Sequence, residues 1–158
     1  MMRQVRICNL SELVEFDAAR VRRLVRSLDE LPAHMRAPRG WISIAVMDDE
    51  KLAQIHADFL NDPSKTDVIT FEGDPDDDFA GEICVSAERA LEVARNYSNS
   101  PDAELCLYIA HGFLHLAGID DIAPEDAKKM RAAEAEAAAL IVRKFKKPIF
   151  KFKEENHV

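Results

Sequence analysis

The run from Ser100 to Leu116 constrains this chain more than any other stretch. Ser100-Pro101-Asp102 reads as a helix start: a hydroxyl to cap, proline at the first helical position, and acid near the positive end of the dipole. Leu105, Cys106, Leu107, Tyr108, Ile109 and Ala110 follow, so the helix is apolar nearly all round. A helix without a polar face has to be enclosed by the rest of its chain, which makes this one the central buried helix. Two histidines, His111 and His115, lie four residues apart near its end, and side chains at i and i+4 share one helix face. Gly118 can take a positive φ and stop the helix. The chain then turns, and Asp121 can return a carboxylate to the point that the imidazoles face. Three protein ligands and one open position is the plan of a catalytic zinc site.

The rest of the chain supplies what such a helix needs to be buried. Residues 3 to 10 read as a strand in which Val5 and Ile7 alternate with Gln4 and Arg6. Asp17 caps a helix to about Leu28, with Val21, Leu24, Val25 and Leu28 on one face. Pro32, Pro38 and Gly40 punctuate a loop before a second strand, Trp41 to Met47. Asp48 starts a helix over Asp49 to Leu60 with Leu52, Ile55 and Phe59 inward, and Asn61-Asp62-Pro63 ends it. Thr66 to Phe71 is a third strand, Gly73 to Ala80 an acidic hairpin connection, and Gly81 to Ser86 a fourth strand leading into a helix to about Tyr97. Pro124-Glu125-Asp126 opens the last helix, whose stripe is Met130, Ala133, Ala137, Leu140 and Ile141 and which runs to about Lys147. The order β-α-β-α-β-β-α-α-α predicts an α+β domain over residues 1–158: a mixed four-stranded sheet packed against about five helices. The last ten or so residues are expected to form a loose basic tail.

Composition narrows the function classes. With 158 residues, 47% apolar and 32% charged, the chain is one globular domain able to bury a core. No run is long and apolar enough for a membrane span, and no signal peptide is legible at the start. Cys8, Cys84 and Cys106 are widely spaced and each lies in an apolar segment, which predicts reduced, buried thiols in a cytoplasmic protein with no disulfide partner. A net charge of −8 argues against broad electrostatic binding of nucleic acid. The charge is uneven, however. Arg20, Arg22, Arg23 and Arg26 cluster early, Arg143, Lys144, Lys146, Lys147, Lys151 and Lys153 late, and Asp74, Asp76, Asp77 and Asp78 between them. The basic clusters are solvated faces that a phosphate backbone can meet locally. The acidic run lacks calcium-loop spacing and reads as a solvated loop.

The spacing His111, His115, Gly118, Asp121 is that of the ligands and glycine in H-E-x-x-H-x-x-G-x-x-H zinc proteases. Gly112 stands where those proteases carry their general base, so a peptidase mechanism lacks its base here. The stretch His111-Gly112-Phe113-Leu114-His115-Leu116-Ala117-Gly118-Ile119-Asp120-Asp121 resembles instead the H-G-x-L-H-L-x-G-x-D-H hallmark of the YbeY family of metal-dependent endoribonucleases, and departs from it only at the last position. Thr66-Asp67-Val68-Ile69-Thr70-Phe71 resembles that family's T-D-V-[LI]-[ST]-F strand, and Gly81-Glu82-Ile83-Cys84-Val85-Ser86 its G-[DE]-I-x-[IV]-S strand. Glu104-Leu105 and Met130 also fit, so the likeness runs from about Trp41 to Leu140.

The resemblance implies a single-strand-preferring endoribonuclease in the 3′-end maturation of 16S rRNA and in ribosome quality control, with an rRNA precursor and the small ribosomal subunit as partners. It implies one Zn2+ per chain, held by His111, His115 and Asp121. Aspartate is an accepted zinc ligand, and the harder oxygen also suits Mn2+. Asp120 is the competing carboxylate, taken here as a turn-forming or supporting group. Many family members carry an arginine in a longer loop between Asn61 and Thr66. Here only Asp62-Pro63-Ser64-Lys65 intervenes, and Lys65 offers a charge without a bidentate fork. Asp67, Asp120 and Lys65 are the candidate catalytic groups. His34, His56 and His157 read as surface or packing residues. Two rival functions remain at this level: a ribosome-assembly factor with a mainly structural metal, and a metalloprotease.

Overall fold

A computed structural model describes residues 2–60 and 66–153. Its first strands, β1 (Val5–Asn9) and β2 (Val14–Phe16), precede helix α1 (Ala18–Leu28), which starts where the Asp17 carboxylate accepts the Ala19 N–H at 2.9 Å. Strand β3 (Trp41–Met47) and helix α2 (Asp49–Leu60) follow. Next come the hairpin strands β4 (Val68–Asp74) and β5 (Phe79–Ser86) and then three helices: α3 (Ala87–Asn96), α4 (Pro101–Leu116) and α5 (Pro124–Lys144). A short strand, β6 (Phe150–Phe152), ends the described chain.

Four strands form a mixed sheet in the order β1-β3-β5-β4. The first three are parallel, and β4 runs antiparallel along the β5 edge, with Thr70 opposite Ile83. Strand periodicity sends alternate residues to opposite faces. Ile42, Ile44, Val46, Ile83 and Val85 face the larger core, which contains α1, α4 and the inner stripe of α5. Ala45, Met47, Ile69 and Cys84 face the other way, where Leu52 and Ile55 of α2 cover them. The expected α+β architecture is therefore present. Helix α4 is enclosed as its composition required: Leu105, Ile109, Phe113 and Leu114 are wholly buried, each contributing about 1.5–3 kcal/mol of transfer free energy.

Several features differ from the sequence reading. Cys84 and Cys106 are buried as expected, but Cys8 is exposed on β1, an edge strand of the sheet. The third strand begins at Val68 and runs through Gly73, so the connection shrinks to Pro75–Asp78. Asp74 closes that turn by accepting the Asp76 N–H at 2.9 Å, and Asp78 occupies the left-handed region at φ 55°. The last helix stops at Lys144 because Phe145 is extended. The loose tail does not begin at Ile149. Ile149 and Phe150 are buried, and β6 pairs antiparallel with β2. One carboxylate oxygen of Asp102 accepts both their N–H groups, at 2.9 and 2.7 Å. Strands of three residues are too short for periodicity to reveal, and apolar Ile149, Phe150 and Phe152 find cover only in the folded chain.

Candidate metal centre

The site is assembled at the C-terminal end of α4, where that helix crosses the edge strand. Gly112 lets the crossing be close. A Cβ there would come within 2.5 Å of Ile83 Cγ2 and 3.1 Å of Thr70 Cγ2. The glycine thus does more than omit a base: it seats the helix on the sheet. Helix α4 then ends in a Schellman arrangement, with the Gly118 N–H donating to His115 O (2.9 Å) and the Ile119 N–H to Leu114 O (3.1 Å). Gly118 carries the required positive φ, 95°. Beyond it, the Asp120 carboxylate accepts the N–H groups of Asp121 (2.7 Å) and Ile122 (3.3 Å), an Asx turn that aims Asp121 back at the helix.

His111 Nε2 and His115 Nε2 lie 2.9 Å apart, and Asp121 Oδ2 is 3.4 and 3.5 Å from them. A tetrahedral ion with bonds of about 2.0–2.1 Å separates its ligand atoms by roughly 3.3 Å, so the donor set suits a divalent cation such as zinc. Among the described residues these three form the one group of at least three His, Cys, Asp or Glu side chains that could share an ion. Behind them, Glu134 of α5 hydrogen-bonds His111 Nδ1 at 2.5 Å. A carboxylate there holds the proton on Nδ1 and leaves Nε2 to face the shared point. Burial by itself would lower the His111 pKa. The hydrogen bond and charge of Glu134, then Asp121 and Asp67, outweigh it and raise the pKa above the usual 6.5.

A cavity of about 310 Å³ opens over this point, lined by His56, Thr66, Asp67, Val68, Ile69, Thr70, His111, His115 and Asp121. Asp67 is exposed on its rim and near enough that its charge reaches both His111 and Tyr108. Its backbone oxygen accepts the Ser86 N–H at 3.0 Å, which ties the start of β4 to β5. Asp120 faces its own turn. Lys65 and His157 lie outside the described residues, and His34 is exposed in a short 3-10 turn and does not line this cavity.

The sequence profile of the family described as Endoribonuclease YbeY matches residues 6–141. The chain belongs to the YbeY family. Relatives with that description include one from Rhodopirellula baltica, 41% identical over 106 residues. That match covers 65% of this chain but 55% of the relative. Another, from Chlamydia pneumoniae, is 31% identical over 149 residues, or 89% of this chain and 92% of the relative. The solution structure of TM1509 from Thermotoga maritima shares the fold, with a TM-score of 0.63 at 24% identity over 90% of this chain and 92% of that one. The family is one of endoribonucleases, the same family that the His111–Asp121 stretch resembles.

Two residues that the YbeY-like stretches do not assign to the site stand at it. Glu134 sits four residues after Met130 and beside Ala133, on the inward stripe of α5. A lone carboxylate on an otherwise apolar stripe was the available signal. His56 was set down as a surface or packing residue, yet it borders the cavity. Nothing local marks it, because its proximity to the other histidines depends on how α2 packs against the sheet.

Proposed function

We propose that this chain is a zinc-dependent endoribonuclease that hydrolyses single-stranded RNA in the maturation of 16S rRNA on the small ribosomal subunit, in the cytoplasm. The observation that carries the reading is the convergence of His111, His115 and Asp121 on one point at the floor of an open cavity, with Glu134 orienting the first histidine. His111, His115 and Asp121 would hold the ion, Zn2+ or Mn2+. When bound, the ion supplies positive charge to a phosphoryl oxygen and lowers the pKa of the attacking water.

This chain's own groups supply the rest. Glu134 fixes the His111 tautomer. Asp120 fixes the turn that carries Asp121. Asp67, on the cavity rim, would take the proton that the water loses. Gly112 offers no base in the position a peptidase needs, which favours phosphodiester over peptide chemistry.

The test is cleavage of a single-stranded RNA by the purified full chain loaded with one equivalent of zinc or manganese, beside His111→Ala and Asp67→Asn. The reading expects metal-dependent cutting by the wild type, none by His111→Ala together with loss of metal from that variant, and slowed cutting by Asp67→Asn with metal retained. Full metal occupancy without any cleavage would favour the assembly-factor reading, in which the ion is structural.

A further inference from the structure

One more titratable side chain borders the cavity without a part in the scheme above. His56 is half-buried on α2. It reaches the site because α2 and α4 approach the edge strand β4 from opposite faces. Leu52 and Ile55 of α2 pack with Ile69 and Cys84 on one face, whereas Gly112 of α4 sits over Ile83 and Thr70 on the other. Ile69 and Thr70 are consecutive in one strand and point opposite ways. The cavity therefore wraps around the start of β4, and its two walls come from different layers of the fold.

Phosphodiester hydrolysis makes two demands on protons. The attacking water must lose one, and the departing sugar oxygen must gain one. Apart from the donors at the metal point, the described lining offers the hydroxyls of Thr66 and Thr70, the carboxylate of Asp67, and the imidazole of His56. An ionised carboxylate accepts a proton and has none to give, and an alcohol is too weak an acid. Of this set only an imidazole both donates a proton near neutral pH and recovers it from solvent.

We propose that His56 is the general acid that protonates the leaving oxygen. The inference rests on the endoribonuclease reading. In the step, the water oxygen bonds to phosphorus and the bond from phosphorus to the leaving oxygen breaks, its electron pair going to that oxygen. The proton from water passes to Asp67, and a ring N–H proton of His56 passes to the leaving oxygen. Exchange with solvent then resets both groups, so no other reactant is consumed.

The test compares wild type, His56→Ala and His56→Gln on two substrates, a single-stranded RNA and a nucleoside p-nitrophenyl phosphodiester. Nitrophenolate departs without a proton, whereas a sugar alkoxide does not. Loss of a general acid slows RNA cleavage by about 10²- to 10⁴-fold. It leaves nitrophenolate release nearly unchanged, and zinc affinity by calorimetry should match wild type. His56→Gln keeps the size and polarity of the side chain and should show the same substrate split if the alanine variant folds poorly. Unchanged RNA cleavage in either folded variant overturns the proposal. So does an equal loss on both substrates, which would make His56 a support for the donors or the fold. A zinc-loaded wild type that cuts neither substrate removes the nuclease reading itself, and the proposal with it.

Discussion

Glu134 decides which nitrogen of His111 is free to face an ion. With its carboxylate on Nδ1, Nε2 is turned to the point shared with His115 and Asp121. Carboxylates placed behind metal-bound histidines typically change metal affinity by 10- to 100-fold. Glu134→Ala is therefore expected to weaken zinc binding by about that factor, read by competition with a chromophoric chelator, while circular dichroism stays that of the wild type. The same contacts set a pH dependence. In the metal-free protein the folded His111 pKa lies above 6.5, so protonation stabilises the fold below 6.5 and that contribution is lost as pH rises through the folded value. An ion needs the neutral ring and replaces the proton. Apparent zinc affinity is thus expected to rise with pH through that window, with proton release visible in calorimetry as heats that differ between buffers.

Helix α4 acts as a unit because its burial and its chemistry share one axis. Its apolar turns anchor it, Gly112 lets it lie against Ile83 and Thr70, and the Gly118 cap sends the chain back with Asp121. Gly112→Ala puts a methyl carbon 2.5 Å from Ile83 Cγ2, a Cβ-branched methyl in the wholly buried core, so the helix or that side chain must shift. The expected cost is about 1–3 kcal/mol in urea unfolding, in the range of other overpacked sites. Because His111 and His115 flank the displaced segment, metal affinity should fall with it. Methyl insertion that leaves both unfolding and zinc binding unchanged would mean that the helix sits less tightly than the contact distances require. At this scale much was legible from sequence: the Ser100 cap, the apolar run, the i, i+4 histidines and the glycine stop are all local. The β2–β6 pair was not, because neither three-residue strand stands without its partner.

Across the whole molecule, folding joins basic clusters that lie more than a hundred residues apart in sequence. Arg20 donates to the backbone oxygens of Lys147 and Pro148, and the Arg23 guanidinium lies 5.2 Å from the Phe145 ring centroid. Arg143, Lys146 and Lys147 are exposed, and Lys144 pairs with Glu30. A chain of net charge −8 thus holds a local basic patch where α1 meets the segment after α5. If RNA phosphates lie on it, replacing Arg143, Lys146 and Lys147 by glutamate lowers the slope of log K against log salt by about 2, at roughly 0.7 per single-strand phosphate contact. Filter binding of a single-stranded RNA over a salt series measures this. An unchanged slope would place the RNA track elsewhere.

What the sequence determined alone was whatever lies within a few turns of one element. The buried helix, its caps, the paired histidines and the returning aspartate are all encoded within residues 100–121. The family signature sits there for the same reason. Tertiary structure decided everything that joins elements: Glu134 behind His111, His56 across the cavity, Asp102 holding the last strand, and the meeting of α1 with the segment after α5. Periodicity tells which side of a helix is inward. It does not tell which residue of another helix the inward side meets, because that depends on how helices and sheet pack in three dimensions. The candidate metal-binding stretch was therefore readable as a motif, and its supporting groups became visible only in the folded chain.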